Sequence, residues 1–556
     1  MSIHSKPRWV VLALPLVGVA AAQGGVSVRA VAYTGAPTPV AGTTYAAVSD
    51  PVISERGVAT FWARLAGEGV TTANDGAWLS DRSGALSLVA REGAAFEGAT
   101  VVALPSLAMN DTDVGLLVLS LQDATTGSNT NLAMAFSDLE GGAEGTLQLV
   151  ARDAAGQAPT YNIPGRPAFA VGRSGYWTEG LAIRGLGSPD PIVTRSPVPG
   201  IELLGGAATW RFNGLGEPGA NDLGELVFWG AAGPNSGGGS ANAPQKTGLW
   251  RRIPGEAPRL LVGEGQQVVG SPIGQMWSSF GSRPVMVGDG SVVVWGKVAG
   301  TGVTTGNETS LMHIAPDGRV SGRVDAGEVF PGAAGERFGA IPQSFSVNFG
   351  RGDVAIVVPI RGAAPGVNTA LLLATDGERR VLARRGDQAP GLVSGVVWDH
   401  FQKPAINDAA RVAFVAMVRG EGVNSTNNTV LYATTRDGGL TPVVRTGDLF
   451  VLPDGPAKTI RRVIFQEESA SLGRRAYTLG GQIIFGLEFT DNTEAIVVGS
   501  IDCLSDFNAD GGVDGDDIIA FFTAWDAGLP SADVDGSGSV DADDTVVFFA
   551  AWDAGC

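Results

Sequence analysis

Three stretches of this chain align with one another without a gap: Pro51 to Asn74, Pro284 to Asn307 and Pro404 to Asn427. In each, Pro, Gly, Gly, Val and Asn fall at offsets 0, 16, 18, 19 and 23. Identities held at fixed offsets three times over mark a repeated structural unit, and units that cannot bury an apolar face alone must stack on their copies. Between the Pro and the Gly-x-Gly lies an apolar run, such as Val58-Ala-Thr-Phe61-Trp62, Val292-Val-Val-Trp295 or Val412-Ala-Phe414-Val415, that reads as a central strand. Weaker copies begin near Pro105, Pro167, Pro218 and Pro342, and a partial one lies near Ser471.

Pro51 to Pro404 covers 353 residues in six steps, which gives eight units about 59 residues apart. Short Val, Ile, Leu and Phe runs separated by Gly, Asn, Asp and Pro turns are the pattern of an all-β fold. Units of this length hold about four short strands, the requirement of a propeller blade. The expected body is an all-β, eight-unit β-propeller; a seven-blade ring with one irregular unit, or a β-sandwich array, are the alternatives. Convincing amphipathic helices are absent before residue 515.

A second recurrent turn closes the units, seen as Arg91-Glu92-Gly93, Gly327-Glu328, Arg385-Gly386-Asp387 and Thr446-Gly447-Asp448. The eighth unit has strands at Gln482 to Phe489 and Glu494 to Gly499 but stops before its own copy of that turn. The front of the chain holds the missing piece, because Val28-Arg-Ala-Val31-Ala-Tyr-Thr34-Gly35 resembles Val443-Val-Arg-Thr446-Gly447. The N-terminal strand is therefore expected to complete the last blade and to remove the exposed sheet edges of an open ring. This body resembles uncharacterised bacterial secreted repeat proteins that have no established activity.

Export is read from the N-terminus. Lys6 and Arg8 precede an apolar run from Trp9 to Ala20, and Ala20-Ala21-Ala22 precedes Gln23, as in a secretory signal peptide with an A-x-A cleavage site. The run is short for an uncleaved anchor, and no later stretch has the length of a membrane span.

The last residues repeat one acidic loop and helix 27 positions apart. The first copy offers Asp506, Asn508, Asp510, Gly512, Asp514 and Asp517 at loop positions 1, 3, 5, 7, 9 and 12. The second offers Asp533, Asp535, Ser537, Ser539, Asp541 and Asp544 at the same positions. Calcium is a hard cation that takes six to eight oxygens, and a twelve-residue loop supplies them as side chains at 1, 3, 5, 9 and 12 and a carbonyl at 7. Gly511 and Gly538 stand at position 6, where the sharp turn excludes a Cβ. Position 12 is Asp rather than the longer Glu, so a shorter arm must reach the ion. Each loop is followed by a helix carrying aromatics four apart, Phe521 with Trp525 and Phe548 with Trp552, and ended by Gly528 or Gly555. An Asp-rich disordered tail is the plainer reading; the duplicated spacing, glycines and aromatic faces weigh against it.

These loops and helices resemble the dockerin family, and with Cys503 before the first loop and Gly555-Cys556 at the end they look like its GC type. The resemblance implies an all-α module holding two Ca2+ ions and docking onto a cohesin-like or cell-surface protein, often in polysaccharide-degrading complexes. Loop positions 10 and 11, a Ser-Thr-like recognition pair in many cellulosomal dockerins, are Gly515-Asp516 and Ala542-Asp543 here. The basic pair farther along the helix is replaced by Phe522-Thr523 and Phe549-Ala550. Calcium binding transfers better than the identity of the partner. Cys503 and Cys556 are the only cysteines, and in an oxidising compartment they can pair, stabilising the module by roughly 4 kcal/mol in the chain-entropy model; two free thiols are the alternative.

The tail also carries most of the charge, with 13 Asp and no Lys, Arg or Glu between Ile501 and Cys556, against a whole-chain net of −18. The remaining body is only mildly acidic, and nothing suggests nucleic-acid binding.

Signals of catalysis are sparse. His313 and His400 sit outside any motif, and no Cys nucleophile, HExxH, nucleophile elbow or phosphate loop occurs in the body. Two carboxylates across a propeller face could hydrolyse a glycosidic bond, with Glu92, Glu328, Asp387 and Asp448 as candidates, although a residue repeated in every blade usually serves the turn. The Arg-Gly-Asp tripeptides at Arg351 and Arg385 have the plainer reading of turn and coincidence, and Asn110 and Asn307 are acceptors only in a glycosylating host. The chain thus divides into a signal peptide (1–22), a repeat body (23–500) and a calcium module (501–556). The function expected is a secreted, non-catalytic ring that binds an unknown ligand or protein and is tethered by its tail; the alternative is an extracellular glycoside hydrolase or polysaccharide lyase.

Overall fold

A computed structural model describes residues 26–554 with interruptions, the longest being 153–167, 235–244 and 466–474. Eight antiparallel sheets follow one another along the chain. Blades 1 to 7 span 43–91, 95–152, 168–185, 211–263, 275–325, 337–384 and 397–445, and blade 8 combines 449–501 with 26–33. The body is an eight-bladed β-propeller. The weaker repeats near Pro167 and Ser471 begin outside the described residues.

Blade 7 displays the common plan. Val397–Phe401 and Ala405–Ile406 both pair with Val412–Arg419, which pairs with Thr429–Thr434, which pairs with Leu440–Arg445. Val412 to Ala416 are buried without alternation, because the second strand of a blade is covered by a neighbouring blade on each side. The innermost strand comes in two pieces. Pro218, Pro284 and Pro404 each stand just before the second piece, where a residue without an N–H interrupts the ladder. In blade 1 the strand Thr43–Ile53 runs through, but its register shifts between Ser49 and Val52, across Pro51.

The turn between second and third strands explains the repeated Gly-x-Gly. Gly67, Gly300 and Gly420 have φ of +138, +108 and +157, and a Cβ there would lie 2.3, 2.0 and 2.6 Å from the carbonyl oxygens of Gly42, Gly274 and Gly395. The repeated Asn fastens the same turn: Asn307 Nδ2 donates to Gly302 O at 3.1 Å and Asn427 Nδ2 to Gly422 O at 3.0 Å.

Ring closure uses both ends of the body. Val26–Tyr33 lies antiparallel to Glu494–Ile501, from Val26 opposite Ile501 to Tyr33 opposite Ala495. It occupies the place that Leu440–Arg445 holds in blade 7, the outermost strand. From there each chain crosses to the next blade through a Gly whose N–H bonds the incoming strand: Gly93 to Val101, Gly265 to Trp277, Gly327 to Phe338, Gly386 to Trp398 and Gly447 to Ile460, all at 2.8 to 2.9 Å. Gly35 makes the same bond to Tyr45 O at 2.8 Å, joining blade 8 to blade 1. Tyr45, Phe61, Phe485 and Ile496 share one core across this seam, and each such buried side chain contributes about 1.5–3 kcal/mol.

Beyond Ile501 the chain forms two helices, α1 (Gly515–Asp526) and α2 (Ala542–Ala554). Phe521 and Phe548 stack between them with centroids 4.1 Å apart and planes 4° from parallel, and Phe507 meets both rings edge-on. Gly528, at φ +61, ends α1, and Leu529 N donates to Ala524 O. No helix among the described residues is long and apolar enough to cross a membrane.

Candidate functional site

In an antiparallel blade the turn between first and second strands and the turn between third and fourth lie on one face. Ile501 ends the third strand of blade 8, so the tail leaves from that face. Arg436, in the third-to-fourth turn of blade 7, stacks over the Phe507 ring at 5.1 Å.

Of the twelve loop positions singled out in the tail, Asp517, Ser539, Asp541 and Asp544 lie among the described residues. Asp506, Asn508, Asp510, Gly512, Asp514, Asp533, Asp535 and Ser537 lie outside them, as do Cys503 and Cys556. The two position-12 carboxylates, Asp517 and Asp544, are fully buried. Asp544 accepts the amides of Val534 at 2.7 Å and Asp541 at 2.8 Å, one with each oxygen, and so gathers the start and end of its loop. Asp541 caps α2 by accepting the Asp543 amide at 3.0 Å, and it also accepts the Ser539 hydroxyl. These bonds, the Asp543 amide foremost, hold the Asp541 carboxyl below the usual carboxylate range. Among the described residues no group of three or more His, Cys, Asp or Glu side chains is placed to hold a metal ion.

On the same face the first-to-second turns form a relay around the axis. Asn221 Nδ2 donates to Gly288 O at 3.5 Å, Gly288 N to Phe349 O at 2.9 Å, Phe349 N to Asp408 Oδ1 at 2.7 Å and Asn407 Nδ2 to Thr478 O at 2.8 Å. Blade 8 then reaches blade 1, since Ile53 N donates to Arg475 O and Leu479 N to Glu55 Oε2. The buried Arg475 guanidinium pairs with Glu55 and lies 3.6 Å from Asp408. These groups come from blades far apart in sequence, and no local pattern announces them.

The candidate carboxylates do not converge. Glu92 Oε2 accepts the Asp75 amide of its own blade. The main-chain carbonyls of Glu328, Asp387 and Asp448 accept from Phe338, Trp398 and Ile460 of the next blade. All four belong to blade crossovers. Burial pushes the Glu328 carboxyl up against the opposing pull of Arg379, 3.4 Å away. Of the Arg-Gly-Asp sites, Arg385 Nη2 donates to Asp399 Oδ1 at 2.9 Å and Arg351 lies 3.6 Å from Asp353. His400 is exposed on the first strand of blade 7, Asn307 serves its turn, and Asn110 lies outside the described residues.

His313 has a setting that the sequence did not reveal. Its Nε2 is 2.6 Å from Ser291 Oγ, which is also 2.5 Å from Asp289 Oδ1. With a carboxylate competing for the hydroxyl proton and Ser291 only 1 % exposed, the trio holds the first-to-second turn of blade 5 rather than activating a nucleophile. Burial, reinforced by Arg323, lowers the His313 pKa.

A sequence model described as a family of unknown function, DUF7453, matches residues 19–366 and again 324–501, stopping where the ring's last strand ends. No curated protein matches the chain. Among solved structures, a mutant puromycin hydrolase is 13 % identical at a TM-score of 0.35, over 74 % of this chain and 58 % of that one. The chain thus spans less than two thirds of that hydrolase. The Dos1 propeller is 10 % identical at a TM-score of 0.36, over 82 % of this chain and 93 % of that one. The polysaccharide lyase Uly1 is 10 % identical at 0.34, over 82 % and 89 %.

Proposed function

Because the chain belongs to the DUF7453 family, whose function is unknown, its role is argued from its own residues, and we propose an exported, non-catalytic binding ring tethered by a calcium-loaded tail. The observation that supports the tether is the burial of Asp517 and Asp544 at equivalent loop positions. Asp506, Asn508, Asp510, Asp514 and Asp517, with the Gly512 carbonyl, would hold one ion. Asp533, Asp535, Ser537, Asp541 and Asp544, with the Ser539 carbonyl, would hold the other. Bound calcium supplies the positive charge that lets these carboxylates share a small volume. Asp544 and Asp541 fix the entry of α2, and the stacked Phe521 and Phe548 carry that order to α1, presenting both helices to a cohesin-like or cell-surface partner. For the ring, the dispersal of the candidate carboxylates into crossovers favours binding over hydrolysis.

Two measurements test this reading. Calcium titration of the full chain by calorimetry should give two ions per chain, and Asp517→Asn with Asp544→Asn should abolish both; absence of calcium uptake by the unmodified protein removes the tether. A polysaccharide panel assayed for new reducing ends and unsaturated products should show no turnover, and turnover abolished by one face carboxylate would make the protein an enzyme.

A further inference from the structure

Between blades 6 and 7, on the face from which the tail leaves, lies a cleft of about 340 Å³. Three arginines line it, Arg380, Arg411 and Arg436, against one carboxylate, Glu378. Arg380 lies on the outer strand of blade 6, Arg411 and Arg436 lie in two connections of blade 7, and the whole chain carries a net charge of −18. Like-charged guanidinium groups gather in a cleft at an electrostatic cost unless an anion joins them.

The three are placed by their surroundings. The Arg411 guanidinium lies over the Tyr477 ring at 5.7 Å and donates to Leu479 O, which fixes it from blade 8. Arg436 is held over Phe507. Arg380 lies against the blade 7 turn, where a Cβ on Gly438 would meet its Nη1 at 2.9 Å. Among the described residues the Arg380 guanidinium has no ion-pair or hydrogen-bonding partner, although its backbone pairs with Leu373.

The cleft wall contains a local departure from the blade pattern. The first-to-second turn carries a left-handed glycine in blades 1, 4, 5, 6 and 8: Gly57, Gly224, Gly290, Gly352 and Gly481, with φ from +69 to +88. In blade 7 that position is Ala410, at φ +56, and it lines the cleft. A left-handed alanine costs about 1–2 kcal/mol relative to the right-handed conformation, and backbone strain of this kind collects at ligand sites.

We infer that this cleft binds an acidic, hydroxyl-rich ligand, a uronic acid unit of a polysaccharide, with the carboxylate on the arginines. The inference rests on the reading of the ring as a binder and names its ligand class. Guanidinium groups match a carboxylate through paired N–H donors. Glu378 can only accept when ionised, so it suits sugar hydroxyls and opposes a dianionic phosphate. Thr375 and Thr435 add hydroxyls to the lining, while Ala409, Ala410 and Gly438 leave room for a ring.

The test is binding of digalacturonate by the full-length protein in calcium buffer, with sodium sulfate and the neutral disaccharide lactose as controls. Digalacturonate should bind, more weakly at high salt, and Arg380→Ser should weaken it at least tenfold without changing the melting temperature. Arg411→Lys, which keeps the charge and loses the paired donors, should weaken it by a smaller factor. Absence of digalacturonate binding, equal binding by the Arg380→Ser protein, or competition by sulfate at equal concentration would each overturn the inference. Lactose binding untouched by Arg380→Ser would also sink it, while leaving the ring a binder.

Discussion

Thr34 Oγ1 accepts the amide of Glu494 at 3.0 Å across 460 residues of sequence. Thr446 Oγ1 does the same for Thr429 within blade 7 at 3.1 Å, and Glu92 and Glu264 do it with carboxylates for Asp75 and Thr247. The ring is therefore sealed by a bond that blades 1, 4 and 7 make internally.

Thr34→Ala should cost about 1 kcal/mol, the net worth of one such hydrogen bond, and Thr446→Ala should cost a similar amount. Deletion of residues 24–37 removes the whole outer strand of blade 8 and should abolish cooperative unfolding of the body. Calorimetry checks both, and an unchanged melting curve for the deletion would refute closure by this strand.

The two glycines of one turn should respond differently to alanine. Gly302, at φ +73 with open space around it, loses about 1 kcal/mol through its left-handed backbone. Gly300 brings a new methyl to within 2.0 Å of Gly274 O, so Gly300→Ala should fall in the exceptional range above about 4 kcal/mol. Urea denaturation of the pair gives the comparison.

His313 sets a pH dependence. Its pKa is lowered in the folded ring, by burial first and by Arg323 second, against partial opposition from Asp289 and Asp376. The unfolded chain therefore binds this proton more readily, so the associated stability is complete above about pH 6.5 and is lost as pH falls below it. Melting temperatures between pH 8 and pH 5.5 should fall less steeply for His313→Gln than for the unmodified protein.

Phe548→Ala removes one half of the stacked pair in the tail. The loss should be about 3–5 kcal/mol, confined to the tail, with the main unfolding transition of the ring unmoved. Trp525 and Trp552 in the same cluster provide the fluorescence signal.

The blade count was legible because the signals are steric. Gly300 and Gly420 mark where one backbone passes another, and Thr446-Gly447 marks the crossing between blades, so these residues recur at fixed intervals. The likeness of Thr34-Gly35 to that pair has its counterpart in the bond to Glu494. The broken inner strand was not foreseen, although Pro218, Pro284 and Pro404 stand at the breaks, because a proline at a strand start and one within a strand look alike in sequence. The Arg475 network and the cleft were invisible for another reason. Arg380 lies on a strand of blade 6 and Arg411 and Arg436 in separate connections of blade 7, and only the packing of the two blades brings them together.

Val26 faces Ile501, the last residue of the ring before the tail. The strand Glu494–Ile501 runs between Gln482–Phe489 on one side and Val26–Tyr33 on the other. A mechanical load arriving through the tail therefore pulls along a strand gripped by two ladders, loading their bonds together in shear instead of peeling them one at a time. A ring anchored through its tail would withstand flow or traction through its seam.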